Sequence, residues 1–243
     1  RDRSPSRGLG DVYKRQLEDT FEGDRLSRLL KMYDHFEERM MFAPASGKEH
    51  YHNCHAGGYV EHVLHVTKCA KQLHKLWSQN GATINFTEEE LVFAAVHHDL
   101  GKIGDLAEDY YVPQDNDWWI KNRGEYYKHN PKLQFMTVTD RALFLLQHYG
   151  VQMTENEYLG LKLTDGLYEE ANKSYYIGYT PERSLRTNIA YILHQADMMA
   201  THIEYDQWKR GYEEVKAVKE EVKKEKQEKS KKAHDLFKEL FDE

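Results

Sequence analysis

The stretch VHHDLGK, residues 96–102, decides how this sequence is interpreted. It closes an apolar segment, residues 91–96, whose helical spacing predicts that the His98 side chain faces the protein core. Asp99 follows directly, and a histidine and a carboxylate side by side at a helix end are good ligands for a divalent metal ion. Lys102 comes three residues later, and a cation at that place suits the binding of phosphate or another anion.

Two other stretches add inward-facing ionisable groups. In GGYVEH, residues 57–62, His62 shares a helical face with apolar residues that follow it. In QAD, residues 195–197, the acid Asp197 lies on an otherwise apolar helical stripe. That stripe consists of Ile189, Leu193, Asp197 and Ala200. Because a buried acid is costly unless it is paired or bound to a metal, the three stretches together predict a metal site in the core of a helical bundle.

These elements together resemble a known family. GGYVEH at 57–62, HHDLGK at 97–102 and QAD at 195–197 are similar to the HD superfamily of metal-dependent phosphohydrolases, which is named after its paired His and Asp. The resemblance covers roughly residues 52–204. The family signature, a first His, the His-Asp pair and a distant Asp, falls here on His62, His98, Asp99 and Asp197.

The resemblance implies an all-α HD-domain helical bundle that holds one or two divalent ions (Mn, Co, Ni, Mg or Fe). Its members most often hydrolyse phosphate esters of nucleotides, with a metal-activated water as nucleophile and stabilising charge from Lys102. Asp99 would bridge two ions, and Asp197 would bind one ion and orient the attacking water. Glu61, beside His62, would carry a proton; the alternative is an ordinary exposed helix acid.

Further candidates surround this core set. Two-metal members of the family commonly add two histidines between the His-Asp pair and the last Asp. Here His129 and His148 are the candidates for these ligands, with surface or capping roles as the alternative. Asp165 stands where some relatives have His-Gly, and it is a candidate for lining the site. His52 and His55 are candidates for contacting substrate at the pocket mouth, with packing within their loop as the alternative.

The composition narrows the class of protein. The 243 residues carry a formal net charge of -7, which argues against general nucleic-acid binding. The 2 cysteines cannot form a disulfide framework, so a reducing, cytoplasmic location is expected. No apolar run reaches about 18 residues and no charged-then-apolar leader opens the chain, so neither a membrane span nor a secretory signal is expected.

Three segments differ in composition. Residues 1–16 are basic, rich in Ser and Gly, and without apolar periodicity. Part of this segment resembles the translated end of a transposon used in sequencing libraries, so we expect a disordered or non-native leader, an assembly scar outside the fold. Residues 17–208 carry helical periodicity and are predicted to form the HD-type domain. Residues 209–243 are predicted to form a long charged helix and an amphipathic tail.

Within residues 17–208 the apolar residues recur at three- and four-residue spacing, and none of the segments alternates at period two. The sequence therefore predicts an all-α fold. Thr87 and Thr154 are predicted to cap the helices that follow them. Residues 105–131 are predicted to form a long irregular loop, and a long helical pattern begins at Glu182.

The C-terminal segment has its own pattern. Between Lys209 and Lys232, 16 of 24 residues are charged, which is typical of a solvated helix, with coiled-coil pairing as the alternative. The end of the chain places four apolar residues on one helical face, suited either to docking a partner protein or a second copy of the chain, or to packing on its own domain. These residues are Leu236, Phe237, Leu240 and Phe241.

The sequence thus predicts a metal-dependent phosphohydrolase that cleaves a phosphomonoester or a phosphodiester. Its partner would be a small phosphorylated substrate, a nucleotide or a related metabolite. One alternative is an HD-fold di-iron oxygenase that cleaves a small organic substrate, which requires a complete two-metal site. A second alternative is a non-catalytic HD scaffold that binds a partner through its C-terminal tail. That scaffold would have no need of four convergent metal ligands.

Overall fold

The computed structural model describes residues 5–178 and 180–241. The described part is mostly helical, with nine α-helices and one two-stranded sheet, and it confirms the all-α prediction. The helices in chain order are α1 (Pro5–Glu18), α2 (Gly23–Phe42), α3 (Gly58–Gln79), α4 (Glu88–His97), α5 (Asp117–Arg123), α6 (Val138–His148), α7 (Glu155–Lys162), α8 (Lys173–Tyr176) and α9 (Ile189–Phe241).

Helix α4 is the central helix of the core. Every residue from Leu91 to His97 is buried, and a helix that is apolar on all sides must be surrounded by other elements. Thr87 caps its start through a reciprocal capping box with Glu90, as the sequence predicts. Thr154 caps α7 in the same way with Glu157. The residues that follow α4, His98 and Asp99 among them, therefore emerge inside the protein.

The predicted leader is helical from Pro5 onward. The Tyr13 side chain in α1 is 1% exposed, and its hydroxyl donates a hydrogen bond to the Val96 backbone oxygen at 2.8 Å. The expectation that residues 1–16 are disordered and outside the fold is therefore wrong for the described part of that segment, because one apolar face of α1 packs on the core. Its non-native origin stays a prediction.

The segment predicted as an irregular loop, residues 105–131, contains regular structure. Strand β1 (Tyr111–Pro113) pairs antiparallel with β2 (Tyr127–His129), and Tyr111 lies opposite His129. Helix α5 connects the two strands. Each strand has only three residues, so the alternating pattern that marks a strand in sequence is too short to be recognised.

The long C-terminal helix begins later than its periodicity indicates. A 3₁₀ turn at Pro181–Arg183 precedes a non-helical segment, and α9 starts at Ile189 instead of near Glu182. The Asn188 side chain donates to the Thr83 backbone oxygen at 2.8 Å, so tertiary hydrogen bonding holds this segment outside the helix.

The chain divides into two compact units, one ending at Glu204 and one beginning at Tyr205, both within α9. The predicted boundary lies four residues later, after Trp208. Most apolar side chains that the structure describes in the second unit are exposed, in agreement with a solvated helix. They include Tyr212, Val215, Val218 and Val222.

The four residues of the predicted docking face, from Leu236 to Phe241, have side chains outside the described residues. Binding of a partner or a second copy through this helix stays a prediction. Among the helices that the structure describes, none combines the length and the apolar character needed to cross a bilayer.

Candidate metal centre

The start of α3 positions the first histidine of the site. Gly57 has a φ of 83°, a conformation that favours glycine, and it ends the loop before the helix. A Cβ on Gly58 would lie 2.0 Å from the backbone oxygen of Asn53, so a side chain there would collide with the loop. The two glycines thus fix the helix start, and His62, one turn later, is 1% exposed.

The His-Asp pair lies where α4 ends. His98 is the C-cap residue of α4, and Asp99 precedes a 3₁₀ turn. A Cβ on Gly101 would lie 2.1 Å from the backbone oxygen of Val138, so this turn packs directly on the start of α6. The turn directs Lys102 back toward the pair, with its Nζ 2.7 Å from Oδ2 of Asp99.

The first turns of α9 supply two carboxylates. The Asp197 side chain retains 24% exposure, whereas Glu204, two turns further along, is 5% exposed. Their neighbours on the same helical face are fully buried apolar residues, which hold this face against the core. They include Ile189, Leu193, Ala196 and Ala200.

Side chains from three helices converge at this point. Nε2 of His62 lies 3.2 Å from Oδ1 of Asp197, and Nε2 of His98 lies 3.8 Å from the same oxygen. The ligand atoms of these three residues all lie within 4.8 Å of one another. Oδ2 of Asp99 lies 3.6 Å from both imidazole nitrogens. The structure therefore brings together the four residues of the predicted ligand set.

Hydrogen bonding at the far side of each ring orients both histidines. Nδ1–H of His98 donates to the backbone oxygen of Ala95 at 2.8 Å, and Nδ1–H of His62 donates to Glu204 at 3.0 Å. Since a carbonyl and a carboxylate only accept, each Nδ1 carries a proton, and Nε2 of each ring faces the cluster. Nε2 of His98 is buried and has no hydrogen-bond partner within the described residues.

The electrostatics of the cluster favour charged carboxylates. Burial alone would raise the pKa of Asp99, but Lys102 and the two histidines outweigh it and lower that pKa to about 2. Burial also opposes charge on Asp197, but the hydrogen bond that its carboxylate accepts from Nε2–H of His62 outweighs burial and lowers the pKa of Asp197. Against the cost of burial, Asp197 and Glu204 raise the pKa of His62 to about 9, so without a metal ion this ring carries a proton on each nitrogen at pH 7. The cluster thus presents two charged carboxylates and two imidazole nitrogens, with Lys102 and His62 balancing the carboxylate charges in this structure.

This donor set fits a divalent metal ion. Imidazole nitrogens and carboxylate oxygens are ligands for borderline divalent metals, and the unpartnered Nε2 of His98 is directed at the cluster. Metal-bound histidines usually donate their other ring N–H to a carbonyl or carboxylate, as both do here. His62, His98 and Asp197 form the buried group that could hold an ion.

A second group of potential ligands overlaps the first. It consists of His52, His62 and Asp99. Lys102 already lies against this group, because its Nζ is 2.7 Å from Oδ2 of Asp99 and 3.5 Å from Nε2 of His52. Burial and the Lys102 charge lower the pKa of His52 to about 3, so it is neutral at pH 7. The predicted substrate-contacting residue His52 thus lies at the edge of the cluster.

Asp165 also lies close to the cluster. Partial desolvation raises the pKa of its carboxyl, and the negative charges of Asp99 and Asp197 raise it further. Its Oδ2 accepts a hydrogen bond from the Thr139 hydroxyl at 3.4 Å. This placement agrees with its predicted position beside the site.

Two other predicted residues do not join the cluster. Nε2 of His55 lies 3.4 Å from Oε2 of Glu61, and both side chains are about half exposed. Glu61 precedes His62 directly in α3, so its side chain lies about 100° around the helix axis from that of His62. The pairing with His55 places Glu61 on the surface, so its predicted role as a proton carrier receives no geometric support.

The candidates for additional metal ligands do not converge with the cluster, although His129 lines a cavity that His52 and Lys102 also line. His129 ends β2 on an exposed position and stacks on the Tyr111 ring, with centroids 5.4 Å apart. His148 is the exposed last residue of α6 and lies against the Phe144 ring. Neither belongs to a group of converging ligands within the described residues, because strand pairing and the end of α6 hold them away from α9.

The sequence interpretation missed Glu204, which accepts hydrogen bonds from both His62 and His65. A signal for it exists. The stripe of Ile189, Leu193, Asp197 and Ala200 continues at the same spacing to residue 204, so the stripe predicts a second buried acid.

We compared the chain with known proteins. No protein-family model, no curated protein and no solved structure matches it at a significant level.

Proposed function

We propose that this protein is a metal-dependent phosphohydrolase of the HD type, acting on a nucleotide or a related phosphate ester. The observation that carries the proposal is the convergence of two imidazole nitrogens and two carboxylates beside Lys102. The resemblance of GGYVEH, HHDLGK and QAD to the HD superfamily supports it, since the same residues supply these atoms.

The residues divide between holding an ion and binding the substrate. His62, His98 and Asp197 would hold a divalent ion, with Asp99 beside them. Such an ion supplies Lewis-acid stabilisation of a phosphoryl group and makes a water nucleophilic near neutral pH. In hydrolysis the water oxygen forms a bond to phosphorus, the ester P–O bond breaks, and the leaving oxygen takes up a proton.

Lys102 would bind the phosphoryl group. The negative charge of Asp99 raises the pKa of the ammonium against the cost of its burial, so it stays positive throughout the physiological range. The neutral His52 ring accepts its hydrogen bond at 3.5 Å and helps to orient it. Because negative charge accumulates on the phosphoryl oxygens in the transition state, a fixed cation here lowers the barrier.

A single ion per chain accounts best for these groups. A second ion held between His52 and Asp99 would lie beside the Lys102 ammonium. The Nζ atom of Lys102 is 3.5 Å from Nε2 of His52 and 2.7 Å from Oδ2 of Asp99. Two like charges so close would repel strongly in a buried site. This arrangement favours hydrolysis over the di-iron oxygenase alternative, which requires two ions.

The test is an assay of the full-length protein loaded in turn with Mn, Co, Fe, Ni and Mg against a panel of nucleotides and phosphodiesters. We expect hydrolysis with at least one metal, metal content near one ion per chain, and loss of both in Asp197→Asn. His148→Gln is the matched control, since His148 is exposed and lies outside the cluster. Inactivity with every metal in a folded, metal-binding protein would overturn the proposal.

A further inference from the structure

Two cavities adjoin the candidate metal centre, and Lys102 lines both of them. The first, called the apolar cavity after its Phe42, Pro44 and Ile103 side chains, has a volume of about 490 Å³ and is also bordered by the charged Glu38, Arg39 and Asp109. The second, the polar cavity, has a volume of about 470 Å³ and is bordered by Lys48, Tyr51, His52 and Lys128. Each is large enough for a nucleoside-sized group.

A wall of two tyrosines separates the cavities. Tyr111 and Tyr127 line both, and their strands pair with Pro113 opposite Tyr127. The backbone N–H of Tyr127 donates to the Gly47 oxygen at 3.1 Å, and a Cβ on Gly47 would lie 2.6 Å from the Tyr127 oxygen. Strand pairing and this close contact fix the wall, so both cavities are formed before a ligand arrives.

Three cations around the cavities are paired with carboxylates. The Lys48 ammonium pairs with Glu125 at 3.9 Å, and the Lys128 ammonium pairs with Asp115 at 2.6 Å. In the apolar cavity Arg39 pairs with Asp109 at 3.1 Å. These cations are therefore already neutralised by carboxylates.

Lys102 lies at the junction beside the cluster, with its Nζ 2.7 Å from Oδ2 of Asp99 and with Asp165 and Asp197 close by. A phosphate at the junction would meet this ammonium together with the ion that His62, His98 and Asp197 would hold, and these two cations would offset the nearby carboxylates.

Each cavity is bordered by an exposed aromatic side chain. Phe42 borders the apolar cavity and is 57% exposed, and Tyr51 borders the polar cavity and is 51% exposed. Large aromatic surfaces kept open to solvent beside a cavity suit the stacking of planar rings. One such surface lies on each side of Lys102.

We propose that the substrate is a phosphodiester whose phosphate lies at Lys102, with one organic substituent in each cavity and a planar ring on Phe42. The inference rests on the proposed function and narrows its substrate class. A phosphomonoester has one substituent and a second negative charge, and it would leave one cavity empty. Hydrolysis of the diester would give a monoester and an alcohol, each leaving through its own cavity.

The test compares bis(p-nitrophenyl) phosphate with p-nitrophenyl phosphate in the metal-loaded, full-length protein. It uses Phe42→Ala for the apolar cavity and Tyr51→Ala for the polar cavity. Phe135→Ala is the matched control, because Phe135 is 86% exposed and borders neither cavity. Binding of diphenyl phosphate and phenyl phosphate, measured by calorimetry, gives a second reading that needs no turnover.

We expect the diester to be the better substrate and the tighter ligand. Each cavity variant should lower kcat/KM and affinity for the diester by about fivefold or more, as expected for the loss of one stacking contact. For the monoester, at most one of the two variants should lower kcat/KM and affinity.

The inference is overturned if kcat/KM for the monoester equals or exceeds that for the diester, or if either cavity variant leaves kcat/KM and affinity for the diester unchanged. Both outcomes leave the proposed function standing. Hydrolysis of neither ester class with any metal counts against the proposed function itself.

Discussion

The carboxylate of Glu204 accepts a hydrogen bond from Nδ1–H of His62 at 3.0 Å, across 142 positions of sequence. This bond fixes the tautomer of the imidazole and directs Nε2 at Asp197. Glu204 touches none of the other predicted ligands, and its role is that of a positioning residue. It connects α9 to α3 on the far side of the cluster.

Glu204→Gln is therefore expected to weaken metal binding without removing a ligand. An amide can present its NH₂ to His62 and thereby favour the wrong tautomer. Loss of such an orienting partner typically costs about 10–100-fold in metal affinity. Calorimetric titration with Mn²⁺ measures it. Glu61→Gln is the control, since Glu61 pairs with the surface residue His55, and equal losses in both variants would contradict the assignment.

Metal binding should stabilise the folded protein, because the three ligands come from separate helices. At a free concentration about 100 times its Kd, an ion contributes about 2.7 kcal/mol. For a protein of this size that corresponds to roughly 5–10 °C in Tm. Chelation should reverse the shift, and His98→Gln should abolish it. A thermal scan of His98→Gln that still responds to metal would show that the ion binds elsewhere.

Lys102→Met should separate phosphate binding from metal binding. It removes the ammonium that lies 2.7 Å from Asp99, so we expect kcat to fall by about 10²–10³-fold. Metal affinity should be unchanged or higher, because Asp99 keeps its charge and loses a competing cation. Lys121→Met serves as the control, since Lys121 is 73% exposed on α5. A parallel loss of metal affinity would mean that Lys102 only supports the fold.

Gly101→Ala should destabilise the protein through backbone crowding. The new Cβ would lie 2.1 Å from the Val138 oxygen, so the turn after Asp99 must move away from α6. Overpacking of this kind costs about 1–3 kcal/mol in the free energy of unfolding, measurable by urea denaturation. Gly211→Ala offers the comparison, because nothing lies within 4 Å of its Cβ. Unchanged stability in Gly101→Ala would show that the turn adapts.

The position of His98 at the C-cap of α4 is an example of what could be predicted from the sequence alone. The periodicity of residues 91–96 places His98 on the buried face, and the capping residue Thr87 fixes where that helix begins. Both are local properties, governed by helix geometry and by hydrogen bonds over three or four residues. The all-α class, most helix starts and the four ligand candidates follow from local rules of this kind.

Other features depend on contacts between distant segments. The β1–β2 pair and the late start of α9 arise from hydrogen bonds with partners that local periodicity does not specify. The same applies to His129 and His148, whose order along the chain suits additional ligands but whose side chains do not converge with the cluster.

The sequence by itself determined that His62, His98 and Asp197 face inward, because helical periodicity decides which face is buried, and that Asp99 follows His98 directly. Only the tertiary structure decided that their atoms meet, that Glu204 orients His62, and that the Lys102 ammonium lies against Asp99 and His52. Distances between helices follow from packing of the whole core, which no single segment encodes.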